Sequence, residues 1–160
     1  MLRFLLVLVT VFGCGDARVP GQGATSGKDP DSAFSQVQAR GHTAMGVDQY
    51  TSSHVFEPLP DGGRISLQRD HNDSAGVEQI RTHMRFIADA FGRGDFALPG
   101  FVHDRDVPGT RVMSERKTRI RYTADTLAGG GQVRLQSSDT TAIRAIHDFL
   151  AFQRHDHRSQ

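Results

Sequence analysis

The chain of 160 residues has one cysteine, no tryptophan and two tyrosines, and its formal net charge at pH 7 is +1. A lone cysteine excludes an internal disulfide and a zinc site built from cysteines, so packing has to hold the fold together. Near-neutrality leaves no strong field to attract a polyanion, which argues against nucleic acid as a partner. Long hydrophobic runs are missing too. The most apolar stretch, Phe4 to Phe12, has nine residues, whereas a helix needs about 20 to span a bilayer. What the chain does contain is ten phenylalanines, enough to furnish a core, and eight histidines, many for this length.

The apolar run follows Arg3 and ends at Gly13-Cys14. A basic residue, a short hydrophobic core and a small residue before the cut predict a secretory signal peptide over residues 1–13. Val11-Phe12-Gly13-Cys14 resembles the lipobox of bacterial lipoproteins, which implies that Cys14 is the lipid-bearing N-terminus of the mature chain. The expected location is the cell envelope, with the protein anchored to a membrane by its lipid and facing the periplasm or the cell exterior. Gly15 in place of Asp resembles the pattern for outer-membrane delivery. From Gly15 to about Arg40 the chain is rich in Gly, Ser, Asp, Gln and Pro and poor in large apolar residues. Such a segment cannot offset its ordering entropy by burial, so residues 14–40 read as a lipidated cysteine and flexible tether, and residues 41–160 as a single domain.

Within that domain, Val55 to Leu59, a Pro60-Asp61-Gly62-Gly63 turn and the alternating Arg64-Ile65-Ser66-Leu67-Gln68 predict a β-hairpin. Ser74 offers an N-cap for a helix whose apolar stripe is Val77, Ile80, Met84, Ile87 and Phe91, stopped by Gly92 and Gly94. Glycine and proline punctuate the stretch from Gly94 to about Gly109, which reads as irregular. Thr118 to Tyr122, a Gly129-Gly130-Gly131 turn and Gln132 to Gln136 predict a second hairpin. Asp139 or Thr140 caps a last helix with Ile143, Ile146, Phe149, Leu150 and Phe152 on its apolar side, running to about Arg154. Both halves share an order of strand, glycine turn, strand and helix, with Ile80-Arg81 matching Ile143-Arg144. The predicted fold is therefore α+β, a two-layer sandwich from a ββα-ββα duplication, with two helices on one face of a four-stranded, largely antiparallel sheet. Its other face would show Arg119, Arg121 and Arg134 as a solvated row or an anion site.

Histidine and methionine carry the candidate chemistry. Neutral imidazole with thioether suits copper, and imidazole with carboxylate suits zinc. His83 and His147 each border the apolar stripe of their helix and are expected to face the seam between the helices. His54 shares a strand face with Phe56, and His103 follows Phe101-Val102 in the irregular stretch. The candidate metal site is thus drawn from His54, His83, His103 and His147, with Met45, Met84 or Met113. No HxxxH, HExxH or CxxC spacing accompanies them. His155-Asp156-His157 reads as a frayed tail with at most weak metal affinity. For catalysis, His103-Asp104 and His147-Asp148 could supply a base and an acid, but Ser52-Ser53-His54 lacks a nucleophile elbow and Gly129-Gly130-Gly131 precedes a strand, the wrong context for a phosphate loop.

Met45-Gly46, His54-Val55-Phe56, Asp61-Gly62-Gly63, Ile80-Arg81-Thr82-His83, Gly94-Asp95-Phe96, Val102-His103-Asp104, Pro108-Gly109 and the string from Ala145 to Gln153 give the chain a resemblance to a group of small bacterial exported proteins of uncharacterised activity. The name aspartate carbamoyltransferase is attached to members of that group, and the residues do not support it. A catalytic chain of that enzyme is far longer and uses a Ser-Thr-Arg-Thr-like motif absent from this sequence. Its regulatory chain needs a set of zinc-binding cysteines. An exported protein would also lie across the membrane from the cytosolic substrate. The resemblance implies no activity and no site residues.

The expected function is that of an envelope binding or accessory module, handling copper, or zinc in second place, through these histidines and methionines. The alternatives are a small envelope enzyme using a histidine as general acid or base, and a structural or interaction lipoprotein without a ligand. A homodimer formed through the sheet is the protein partnership such a fold allows.

Overall fold

The computed structural model describes residues 30–46, 51–69 and 73–159. The expected signal peptide, Cys14 and most of the expected tether lie outside them. The elements are α1 (Pro30–Met45), β1 (Ser52–Leu59), β2 (Gly62–Arg69), α2 (Ser74–Arg93), α3 (Ala97–His103), α4 (Thr110–Glu115), a 3₁₀ turn (Lys117–Arg119), β3 (Ile120–Leu127), β4 (Gly130–Ser137) and α5 (Thr140–Asp156).

Two hairpins form one four-stranded antiparallel sheet in the order β1-β2-β4-β3. Pro60-Asp61 joins the first pair and Ala128-Gly129 the second, and each second strand opens with two glycines, Gly62-Gly63 and Gly130-Gly131. The two halves meet at β2 and β4 in a register that is its own mirror, with Ile65 opposite Val133, Gly62 opposite Gln136 and Gln68 opposite Gly130. Each turn also closes on the far end of the other half, since Arg69 donates its N–H to the Gly129 carbonyl and Ser137 donates to that of Asp61, both at 2.9 Å. The sheet has an internal two-fold symmetry.

Alternation sends Phe56, Ile65, Leu67, Ile120, Val133 and Leu135 to one face, where all are buried. Asp73 and Asp139 start the two long helices by accepting N–H bonds from Gly76 and from Thr141 and Ala142. The cap of α2 is thus Asp73, and Ser74 is its first residue. The helices cross over: α2 lies on β3 and β4, and α5 on β1 and β2. Close approach depends on the second glycine of each pair. A Cβ on Gly63 would fall 2.2 Å from Leu150 Cδ1, and one on Gly131 would fall 3.2 Å from Met84 Cγ. Counted from the caps, Met84 and Leu150 are equivalent, as are Ile80 and Ile146. The repeated Ile-Arg pairs are not, because Ile143 stands where the first helix has Val77.

Three local expectations change. Residues 30–40, assigned to the tether, belong to α1, which packs on α3. Its inward side is Phe34, Val37, Gln38, Gly41 and Met45, helically spaced but interrupted by a polar residue and a glycine, so the apolar stripe is weak. Arg40 Nε fixes the contact by donating to the Val102 carbonyl at 2.6 Å. The stretch after Gly94 holds two short helices, because Pro99 lies in the first turn of α3, where a missing N–H costs little. Finally, the arginine row on the outer sheet face is broken. Arg119 lies in the 3₁₀ turn, and Arg134 is paired with Asp61 and donates to the Gly63 carbonyl at 2.8 Å. No helix among the described residues is long and apolar enough to cross a membrane.

Candidate ligand site

Between α1, α2, α3, α5 and the β1 side of the sheet lies a cavity of about 80 Å³. Its wall includes His54, His83, His103, His157, Met45 and Met84, the rest being mainly apolar side chains. Among the described residues, no aspartate or glutamate lines it. That is room for a few waters or one small ligand.

His54 comes from β1, on the inward face it shares with Phe56, and the two rings stack with centroids 5.9 Å apart. His157 continues the last turn of α5, its N–H bonding the Gln153 carbonyl, and its ring lies 5.3 Å from that of His54 and 5.1 Å from that of His103 between centroids. His83 is buried on the inward side of α2 next to Met84. Among the described residues, no hydrogen bond reaches the ring nitrogens of His54 or His83, and His157 Nδ1 is buried without a partner. Burial, with His83 nearby, lowers the His54 imidazole to about 4. Burial alone lowers His83 to about 4. Burial, then the neighbouring His54 and His103, lowers His157 to about 3. All three are neutral at pH 7, each with a free ring lone pair.

His103 is different. Its Nδ1 lies 2.5 Å from Asp156 Oδ2 and its Nε2 lies 3.0 Å from Gln153 Oε1, and Arg105 holds the other Asp156 oxygen at 2.6 Å. With both ring nitrogens engaged, His103 is a fixed wall. It has the carboxylate partner of a catalytic dyad, but no nitrogen left for a substrate.

The two-fold relation explains the other candidates. His147 Nε2 lies 2.9 Å from the Leu59 carbonyl at the first hairpin turn. Its counterpart on α2, counted from the caps, is Arg81, which donates to the Leu127 carbonyl at the second turn, also at 2.9 Å. His147 therefore fastens a turn and does not reach the seam or the cavity wall. Met113 is fully buried in the core away from the cavity. Of the seven candidate metal residues, His54, His83, His103, Met45 and Met84 share the cavity, and His147 and Met113 do not. The sequence reading set His155-Asp156-His157 aside as a frayed tail and gave Gln153 no role, because a charged helix end carries no apolar signal. Their spacing on the inward side of α5 with Phe149 was the available signal.

The same relation shows what the histidines replace. The counterparts of His54, His83 and His157 are Tyr122, Phe149 and Phe91. These three pack as an aromatic cluster, Phe91 lying 5.9 Å from Tyr122 and 5.8 Å from Phe149 between centroids. One half fills these positions with rings that need few or no partners, and the other fills them with three imidazoles around a void. Among the described residues, no three His, Cys, Asp or Glu side chains form a metal-holding group, so any metal held here would also draw on the thioethers of Met45 and Met84. No protein-family model, curated protein or solved structure matches the chain.

Proposed function

We propose that the protein is a cell-envelope lipoprotein, anchored by a lipid on Cys14, whose domain binds copper(I) in the histidine cavity. The observation that carries this reading is the replacement of an aromatic trio by three neutral imidazoles without hydrogen-bond partners, beside two thioethers. Leaving a buried polar group unpaired costs about 1–3 kcal/mol, and His157 Nδ1 is such a group, a cost that an occupant of the cavity would relieve. Neutral nitrogen and thioether sulfur are the donors that a soft monovalent ion accepts, whereas zinc, calcium and magnesium sites usually include thiolate, carboxylate or many oxygens. His83 with His54 or His157 would supply nitrogen, and Met84 and Met45 sulfur. The rest of the wall is mainly apolar, a setting that favours the soft monovalent ion over the harder divalent one.

The test uses the exported chain carrying Cys14→Ser, loaded with copper(I) without oxygen, passed over a copper(I) chelator and measured by elemental analysis. Its controls borrow residues from the other half, His83→Phe and Met84→Leu. The reading predicts about one copper per chain in the parent and loss of it in the folded double variant. A parent that surrenders all its copper to a weak chelator, or a double variant that retains it, overturns the reading.

A further inference from the structure

The two outer strands of the sheet are not treated alike. Residues flanking a two-residue hairpin turn exchange hydrogen bonds with each other, and alternation then sets which backbone groups face outward. On β1 the outward groups belong to Ser52, His54, Phe56 and Pro58. This edge is guarded at two points: Arg154 Nη1 donates to the Phe56 carbonyl at 2.8 Å, and Pro58 has no N–H to offer. On β3 the outward groups belong to Ile120, Tyr122, Ala124 and Thr126; the Ile120 N–H bonds the Lys117 carbonyl of the 3₁₀ turn, and among the described residues no side chain or backbone group caps those of Tyr122, Ala124 and Thr126. Thr126 stands where the first half has Pro58. The guard is present in one half and missing in the other.

The face of β3 is also self-complementary. Its outer side chains are Arg121, Thr123 and Asp125, all exposed, and neither Arg121 nor Asp125 has an ion-pair partner among the described residues. We propose that β3 pairs antiparallel with β3 of a second copy of this chain, about a two-fold axis at Thr123. In that register Tyr122 lies opposite the partner's Ala124 and exchanges both backbone hydrogen bonds with it, because both residues already point outward. Arg121 then faces Asp125 of the other copy, twice over. A shift by two residues would lose both ion pairs, and a shift by one would set outward groups against inward ones, so charge and backbone polarity select one register. The two four-stranded sheets become one of eight strands, and the less guarded edge of the described sheet is consumed. Nothing in this pairing touches the histidine cavity.

The full chain carrying Cys14→Ser allows a direct test, because it has no other cysteine. Sedimentation should give a dimer that dissociates on dilution. Thr123→Cys should form a disulfide-linked dimer on mild oxidation, since residues facing each other across such a pair have Cα atoms within disulfide reach. Arg121→Cys alone should not, while Arg121→Cys with Asp125→Cys should. Arg121→Asp should raise the dimer dissociation constant about tenfold or more by placing like charges across the strands, and adding Asp125→Arg should restore it. Thr126→Pro, which copies the guard at Pro58, should give a monomer whose unfolding temperature and circular dichroism are those of the parent. A chain that sediments as a monomer up to high concentration, a dimer indifferent to Thr126→Pro and Arg121→Asp, or equal cross-linking at Thr123→Cys and Arg121→Cys would overturn the proposal.

Discussion

Without its ligand the protein should lose stability on acidification well before its carboxylates titrate. The unfolded chain binds a proton at each histidine near pH 6.5, whereas His54 and His83 resist protonation in the fold down to about 4 and His157 down to about 3. Between these limits the unfolded state binds more protons, so stability is full above pH 6.5 and falls as the pH drops toward 4. At pH 5 each histidine accounts for about 2 kcal/mol of loss. Against a total stability of about 5–15 kcal/mol for a domain of this kind, even two such groups matter. Urea unfolding of the metal-free chain at pH 7.5 and 5.0 measures the loss as a drop in midpoint. Replacing His83 by Phe, the residue of its counterpart, should shrink the drop by about 2 kcal/mol, and copper(I) should shrink it for the parent by binding the neutral imidazoles. Equal stability at the two pH values, or a drop unchanged by His83→Phe, would refute the argument that these imidazoles are held neutral by burial.

Three further outcomes follow from the packing. Gly63→Ala puts a Cβ 2.2 Å from Leu150 Cδ1; it should cost about 1–3 kcal/mol in thermal unfolding, partly recovered by Leu150→Val. Asp156→Ala strips His103 of a partner at 2.5 Å; a loss of about 1–3 kcal/mol is expected by urea unfolding at pH 7.5. His147→Ala frees the Leu59 carbonyl and should cost about 1 kcal/mol while leaving copper retention at the parental level, because His147 is no part of the cavity wall.

The sheet and its two long helices were legible because their signals are local. Ile65 and Leu67 alternate with polar neighbours, Gly62-Gly63 and Gly130-Gly131 mark both hairpins, and Val77 through Phe91 recur at helical spacing, although the cap proves to be Asp73 and not Ser74. Helix α1 was hidden for the opposite reason. Its inward side contains Gln38 and Gly41, which bury well against α3 but carry no hydrophobic signal. Half of the site could be read in the same way, since His54 shares a face with Phe56 and His83 borders the stripe of α2. His147 also borders its stripe, but counted from the aspartate caps its partner is Arg81, and both reach a hairpin turn. His157 continues the helical course of α5, its N–H bonding the Gln153 carbonyl, and packing of that last turn against β1 brings it to His54.

The central claim, that imidazoles and neighbouring thioethers of the cavity hold copper(I), is tested most directly by X-ray absorption at the copper edge of the loaded chain carrying Cys14→Ser. The account predicts a monovalent edge with nitrogen and sulfur in the first shell, the nitrogen contribution falling in His83→Phe and the sulfur contribution in Met84→Leu. A shell of oxygen and nitrogen without sulfur, or one that neither substitution alters, would contradict it.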